Sequence, residues 1–259
     1  MDRQHSIEQR QIDQRKPWER LWAECAAYAF HPANPFSKDG FAIWDATAAF
    51  CSMKLVAQVH GMIHEKCPNM DIIDCLKIAC DLVIFGTSGV NVKTQGHVPL
   101  DQVFIWEDAH GLPCTDNENI IGVRWLKAPG EVYGRSPVMK ALPDIKTANK
   151  VAELILKNAP IAVTGNDDGG VEGAIIPKAV DSAGLTPLEA PGNFDLSQLI
   201  LQDLRKNIRR ALLVEKLGQP EDPRMTATEV LERSADMARL LGATYGRLQS
   251  ELFNRVRAA

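Results

Sequence analysis

The spacing of apolar and polar residues predicts helices in the first third of the chain. Residues 1–20 are polar and rich in Gln and Arg, which is typical of an exposed helix or arm. Residues 42–64 place apolar side chains at helical spacing, at Ala49, Met53, Val56 and Ala57. Residues 70–85 repeat the pattern with an apolar face of Ile72, Ile73, Leu76, Ala79 and Cys80. We expect two helices that pack through these faces.

The pattern changes between residues 97 and 126, where it predicts short β-strands. Two strand-like stretches flank a turn at His110 and Gly111. Trp106 and Trp125 lie in these stretches, and aromatic side chains favour strands. The first half of the chain is therefore predicted to be a mixed α/β region.

Three helical segments dominate the second half. The first begins at Ser136 and Pro137, an N-cap followed by proline at the first helical position, and Pro143 is expected to bend it. The second begins near Asp195, with a predicted apolar stripe of Leu196, Leu199, Ile200, Leu204, Ile208 and Leu212. Beside the stripe lies a basic flank formed by Arg205, Lys206, Arg209 and Arg210.

The third helical segment begins at Thr226, with Glu229 three residues later as in a capping box. Its apolar positions include Leu231, Ala238, Leu241, Tyr245, Leu248, Leu252 and Val256. One helix over this segment would be about 45–50 Å long at 1.5 Å per residue. Because a compact chain of this size would not easily cover so long a seam, we expect identical neighbours in a ring to cover it.

Residues 159–194, between the first two of these helices, contain short β-capable stretches around the turn sequence GNDDGG. Their glycines do not make a phosphate-binding loop, because the Lys-Ser/Thr pair is missing and no strand-to-helix context surrounds them. We interpret this region as a small β excursion between two helices.

Composition and charge narrow the class of protein. The 259 residues, 45% of them hydrophobic and 24% charged, suffice for one large domain or two ordinary ones. A net charge of −4 disfavours tight, static binding of DNA phosphates, although it is compatible with a passage through which DNA slides. No apolar run approaches the length of a membrane span, and the N-terminus has no apolar signal region.

The cysteines indicate the compartment. A chain of this length does not need disulfide bonds, so free thiols in a reducing cytoplasm are expected for Cys25, Cys51, Cys67, Cys75, Cys80 and Cys114. None of the six forms a Cys-x-x-Cys pair, which argues against redox chemistry.

One cluster raises an enzymatic alternative. His60 and His64 share a helix face near Cys67, so a metal-dependent hydrolase is a second hypothesis. No fourth ligand has convincing spacing, and no glutamate stands between the histidines as a zincin motif requires. No Ser/His/Asp nucleophile context appears either. We expect no enzymatic activity, no metal and no cofactor.

Four blocks, in order along the chain, resemble the portal (head-to-tail connector) proteins of short-tailed bacteriophages. The most specific block leads into the sequence ALPDIK at residues 141–146 and consists of Tyr133, Gly134, Arg135, Ser136 and Pro137. Residues 43–63, 81–93 and 222–256 resemble the family's early helix, its helix-to-strand element and its long late helix. Together the blocks cover about half of the chain.

The resemblance implies an α+β, mainly α fold of portal type, with an α/β wing, a two-helix stem, a small β clip and a long late helix. Residues 1–130 would form the wing, and residues 131–158 and 195–216 the first and second stem helices. The clip would comprise residues 159–194, the tunnel loop residues 217–225 and the long wing or barrel helix residues 226–259. Family members are generally much longer, so we expect a compact relative, a fragment or an ordered part of a longer protein.

The resemblance also implies a structural role in the virion. Twelve subunits would form a ring at the head vertex, assembled in the host cytoplasm, through which double-stranded DNA is packaged and ejected. The ring would bind the terminase large subunit, a tail adaptor protein, and capsid and scaffolding proteins, with no membrane partner. A head-completion adaptor that binds a preformed ring is a further alternative.

Two groups of residues are expected to act in such a ring. The tunnel loop would touch DNA phosphates weakly through Lys216, Gly218, Gln219, Pro220, Glu221, Asp222 and Arg224. The basic flank of Arg205, Lys206, Arg209 and Arg210 would either face the channel or form ion pairs with acids on a neighbouring subunit, for which the candidate partners are Asp144, Glu153 and Asp203.

Overall fold

The computed structural model describes residues 2–29, 45–164, 194–214, 239 and 241–258, and the structural statements below concern these residues. Three helices open the chain, α1 (Asp2–Ala29), α2 (Thr47–Lys66) and α3 (Ile72–Ile84). The first turn of α2 donates the Thr47 N–H to the Asp45 carboxylate, and Asp71 caps α3 by accepting from Ile73 N–H at 2.8 Å. These acidic residues offset the unpaired N–H groups at the helix starts.

The buried faces of α2 and α3 differ from the predicted ones. The side of α2 that enters the core carries Ala48, Cys51, Ser52, Leu55, Val56, Val59, Met62 and Ile63. Met53 is 58% exposed and Ala57 also faces outward, so the predicted α2 face was wrong except at Val56 and, half-buried, Ala49. In α3 only Ala79 and Cys80 of the predicted face are buried. Both helices carry apolar residues on more than one side, so the spacing of apolar residues does not identify which side is buried.

Short antiparallel strands follow, as predicted. A three-stranded sheet has the order β2–β1–β5, formed by Gly96–Val98, Thr87–Asn91 and Ile120–Arg124. In its register Ser88 lies opposite Val123 and Val90 opposite His97. A second pair joins β3 (Trp106–Glu107) to β4 (Pro113–Cys114). The sheet packs against α3 and the late helices, in one continuous hydrophobic core.

Two long helices form a hairpin, α4 (Pro137–Thr164) and α5 (Phe194–Ala211). The start of α4 and the end of α5 line the same cleft, so the two helices run antiparallel. Helix α4 continues through Pro143, and the predicted bend there stays a prediction.

The face of α5 that enters the core also corrects the predicted stripe. Ile208 and Leu212 are buried and Leu204 is half-buried, as expected. However, Leu201 replaces Leu199 and Ile200 in the core, and Leu199 is 60% exposed. Leu199, Ile200 and Leu201 are consecutive in the first half of this helix, so sequence alone could not choose which of them is buried.

The prediction of a single long late helix is wrong within the described residues. Gly242 has φ +46° and ends any helix before it, and α6 (Ala243–Leu248) begins immediately after. A π-helical turn (Gln249–Phe253) then leads into α7 (Asn254–Ala258). The predicted start at Thr226, with Leu231 and Ala238, lies outside the described residues.

The seam of these late helices is covered by the subunit itself, which corrects the expectation that copies of the chain must cover it. Leu241, Leu248, Leu252 and Val256 are all buried in the common core, and Tyr245 is half-buried. Helix α6 and the π-helical turn, which carry Leu248 and Leu252, contact β5.

The observed mixture of helices and small antiparallel sheets is an α+β, mainly α fold, as predicted. The division into wing, stem, clip and tunnel loop stays a prediction. Across the described ranges, no helix combines the length and apolarity needed to cross a membrane. All six cysteines are free thiols, and five of them are buried.

Candidate functional site

The predicted signature, residues 133–137, lies where α1, α3, β1, β5 and α4 meet. The Tyr133 ring contacts Trp22 edge-on, with the ring centroids 5.2 Å apart, and Trp18 at 5.9 Å. Its hydroxyl accepts a hydrogen bond from Ile105 N–H. Burial raises the pKa of Tyr133, so the phenol stays neutral and acts as packing rather than as an acid or base. Trp22 Nε1 in turn donates to Phe85 O at 3.0 Å.

Gly134 is required by a close approach of two backbone segments. Its N–H donates to Thr87 Oγ1 at 2.7 Å, and a Cβ at this position would lie 2.1 Å from Gly86 O. Gly86 has φ +79°, and a Cβ there would lie 2.5 Å from Gly134 O. Only glycine fits both positions, so this pair fixes the signature segment against the turn between α3 and β1.

The remaining signature residues start α4. Arg135 N–H donates to Leu126 O at 2.6 Å, while its guanidinium pairs with Glu131. The Ser136 hydroxyl accepts from Met139 N–H at 2.9 Å, which confirms the predicted N-cap, and donates to Ile84 O at 2.8 Å. Ser136 therefore joins the start of α4 to the end of α3. These contacts give the signature a structural role: it sets where α4 leaves the sheet.

A buried ionic cluster secures the other side of the sheet. Arg124 in β5 is fully buried, and its guanidinium donates to Glu251 Oε1 at 2.8 Å and to Gly111 O at 2.8 Å. Its backbone N–H donates to Glu251 Oε2 at 2.9 Å, and the guanidinium also pairs with Glu107. Arg247 adds a contact to Glu251 at 3.1 Å. Through this cluster the π turn of the late helices is fastened to β5.

Sequence reasoning did not single out this cluster, although the chain carried a signal. Arg124 stands in the apolar strand IIGVRW, and Glu251 stands between the apolar Leu248 and Leu252. A charged residue inside an apolar stretch is rarely buried unless it is paired. The sequence alone could not show that Arg124 pairs with Glu251, because the two residues are 127 positions apart.

The predicted basic flank divides between two roles. Arg205 Nε donates to Asp45 Oδ2 at 2.7 Å within the subunit, and Asp45 is not among the predicted partners. Pairing of the flank with Asp144, Glu153 or Asp203 of a neighbouring subunit stays a prediction. Lys206, Arg209 and Arg210 are exposed on α5. Arg205 therefore holds α5 within the subunit, and the other three basic residues are more exposed than Arg205.

Asp45 was missed as a partner; it lies inside the segment 42–64 that was predicted to be helical, and two residues before the observed start of α2. Its side chain is 3% exposed, and its backbone N–H donates to Asn149 Oδ1 at 3.2 Å. Burial raises its pKa, but hydrogen bonds from Thr47 and Arg205 outweigh that effect and lower the pKa below the ordinary value. Asp45 is thus an ionised joint between α2, α4 and α5.

The enzymatic alternatives gain no support from the geometry. The His60 and His64 rings stack with centroids 6.2 Å apart, and the described part of the chain contains no group of three His, Cys, Asp or Glu side chains arranged to hold a metal. His97, Asp81 and Ser88 do meet, with His97 Nε2 at 2.8 Å from Asp81 Oδ2. However, the Ser88 hydroxyl donates to the aspartate at 3.2 Å and is fully buried, which leaves a substrate no access to it.

The predicted tunnel loop cannot be placed, because all its named residues lie outside the described ranges: Lys216, Gly218, Gln219, Pro220, Glu221, Asp222 and Arg224. The loop's contact with DNA therefore stays a prediction.

Comparison with known proteins relates the signature and the elements around it to a family. The family model described as "Bacteriophage head to tail connecting protein" matches residues 117–256, which include the signature, the α4–α5 hairpin and the late helices. A "Probable portal protein" of Bordetella phage BPP-1 is 29% identical over 149 residues, covering 51% of this chain and 26% of that protein. The "Portal protein" of Enterobacteria phage T3 is 25% identical over 151 residues, covering 53% of this chain and 28% of that protein.

This chain thus spans about a quarter of the length of the two curated relatives. The family match nevertheless covers more than half of the chain and runs through the elements that the signature joins. The chain therefore belongs to the bacteriophage head-to-tail connecting proteins, the family of phage portal proteins.

Proposed function

We propose that this chain is a structural subunit of a ring at the vertex of a phage head. DNA passes through the ring during packaging and ejection, and the ring binds the terminase, the tail adaptor, and capsid and scaffolding proteins. The observation that carries the proposal is the α4–α5 hairpin, which belongs to the part of the chain matched by the connector family.

The hairpin has the surface of an element that packs against copies of itself. Its two helices bury one side in the subunit through residues such as Ala148 and Ile208. At the opposite end from the signature, four large apolar side chains are exposed: Leu154, Leu156, Leu199 and Ile200. Apolar clusters on the surface are typical of protein interfaces. Adjacent hairpins in a ring would cover them, since a cyclic assembly repeats one contact around its axis.

Charge supports a channel that releases DNA rather than holding it. The chain has a net charge of −4, and the exposed basic residues on α5 are Lys206, Arg209 and Arg210. Because every subunit is net negative, a ring of subunits stays acidic as a whole and would contact phosphates weakly. Weak contacts suit a duplex that must slide.

Assembly tests the ring. We expect the purified protein to have the mass of a closed oligomer in size-exclusion chromatography with light scattering, and micrographs should show annular particles. Leu199→Asp combined with Ile200→Asp should shift the mass toward the monomer. Leu112→Asp, at an exposed site on the β3–β4 turn, is the matched control and should leave the ring intact. A wild-type protein that stays monomeric at every concentration would contradict the proposal.

A packaging assay tests the predicted role of the loop. Lys216→Glu with Arg224→Glu should preserve ring formation but reduce the DNA packaged per phage head, because acidic side chains would repel the duplex. Lys93→Glu with Lys140→Glu, at two exposed positions outside the loop, makes the same change in net charge and should leave packaging unchanged. If the loop variant forms intact rings and packages DNA as the wild type does, the loop does not contact the DNA as predicted.

A further inference from the structure

The outward side of α2 carries an apolar surface that one subunit leaves uncovered. It consists of Phe50, Met53, Ala57 and Gly61, spaced three and four residues apart on one helix side, and we call it the α2 patch. Phe50 is 59% exposed, and a Cβ added to Gly61 would meet nothing within 4 Å. The other side of α2 is buried. A helix that is apolar on both sides is usually enclosed on both.

Basic groups border the α2 patch. Lys54 Nζ lies 4.8 Å from the centre of the Phe50 ring, and His60 and His64 stack at the other end. No acidic residue occurs between Asp45 and Glu65. The patch therefore presents apolar side chains beside a positive charge.

A second uncovered surface, of opposite charge, lies at the start of α3. It consists of Ile72, Ile73 and Leu76, and we call it the α3 patch; Ile73 is 58% exposed. Asp71 and Asp74 border it, and Asp71 is exposed at the helix N-cap. Lys77 pairs with Asp74 at 3.2 Å, so these two charges offset each other and Asp71 gives the border of the patch a net negative charge.

We propose that the α2 patch of one subunit packs against the α3 patch of the next subunit. The proposal rests on the ring proposed above and names one of its contacts. The two patches match in character and are complementary in charge, whereas either patch facing its own copy would bring like charges together. A contact between two different surfaces is heterologous and repeats head to tail, which is the geometry that a ring requires.

Charge reversal tests the pairing. Met53→Asp puts an acid in front of the acidic α3 patch, and Ile73→Lys puts a base in front of the basic α2 patch. Each variant alone should elute at monomer mass with wild-type circular dichroism. Mixed in equal amounts they should form rings again, because the acid introduced into one variant then meets the base introduced into the other, and the alternate contact is native. Leu112→Lys is the control and should form rings alone.

The outcomes separate this contact from the ring itself. Wild-type protein that never forms rings defeats both proposals. Wild-type rings together with rings of Met53→Asp or Ile73→Lys alone defeat only the pairing, and so does a mixture that stays monomeric.

Disulfide trapping gives a readout that does not depend on charged variants folding. Met53→Cys with Ile73→Cys in one chain should yield, on oxidation, a ladder of covalent oligomers longer than dimers. Met53→Cys alone should give no more cross-linked product than the wild-type thiols. Dimers from Met53→Cys alone would mean that the α2 patch meets its own copy and would overturn the proposal.

Discussion

At the residue scale, two glycines decide how the signature segment meets the sheet. The backbone segments that contain Gly134 and Gly86 pass so close to each other that a Cβ on Gly134 would lie 2.1 Å from Gly86 O. We expect Gly134→Ala to lower the free energy of unfolding by about 1–3 kcal/mol, the usual cost of overpacking. Urea denaturation followed by circular dichroism measures it.

The matched control for that prediction is another glycine in open space. Gly246 lies in α6 and a Cβ there would meet nothing within 4 Å. Gly246→Ala should raise the free energy of unfolding by about 0.5–1 kcal/mol, because alanine loses less backbone entropy in a helix. Equal effects of the two substitutions would contradict the close approach.

The Arg124 cluster is the second residue-scale determinant. Arg124 is fully buried, and Glu251, which contacts it through both carboxylate oxygens, is almost as inaccessible. Glu251→Gln leaves a buried guanidinium with less compensation, so we expect a loss of about 3–5 kcal/mol. Thermal and urea denaturation measure this loss.

A double variant distinguishes electrostatics from packing at this cluster. Arg124→Met with Glu251→Gln should cost less than the two single substitutions added together, because neither charge then stays buried alone. Glu118→Gln, at an exposed position, should change the free energy of unfolding little. Strictly additive losses would show that the pair does not act as a unit.

At the element scale, sequence predicted which helices and short strands exist better than which sides they bury. Ser136 is the N-cap of α4 as expected, because a local serine-proline pattern carries that information. The faces of α2 and α3 could not be predicted, since each helix has an apolar surface on more than one side. The break at Gly242 was missed because the apolar spacing continues through it. Arg205 and Asp45 are remote from each other in sequence, and the apolar spacing within one helix does not show which distant residue a side chain on it will pair with.

Asp45 gives the element scale a pH-dependent prediction. Its pKa in the folded chain is lowered from an ordinary value of 3.8, so its ionised form stabilises the fold at neutral pH. That stabilisation should disappear as the pH falls below 3.8 through the lowered pKa. The difference in unfolding free energy between wild type and Asp45→Asn should therefore be greatest near neutral pH and shrink in acid.

Urea titrations from neutral pH into acid measure that difference. Asp203→Asn, on the exposed side of α5, provides the control and should show a nearly constant offset. A gap between wild type and Asp45→Asn that does not change with pH would mean that Asp45 does not join α2 to α5 by its charge.

At the scale of the whole molecule, the subunit buries its own core and leaves separate patches for association. The late helices pack on β5 within the same subunit. Their apolar seam therefore does not need a neighbouring subunit to cover it, and this argument for a ring no longer holds. The exposed apolar side chains of the described residues include those at the distal end of the hairpin and in the α2 and α3 patches. The ring is therefore expected to assemble from folded subunits rather than to fold as it assembles.

Dilution tests this order of events. As the concentration falls through the assembly transition, the mass from light scattering should drop to that of the monomer while the far-ultraviolet ellipticity stays constant. Because the cores of α2, α3 and the late helices lie within one chain, the monomer should also unfold in one cooperative urea transition. Helix loss that accompanies dissociation would mean that the subunit needs its neighbours to fold, as obligate oligomers do.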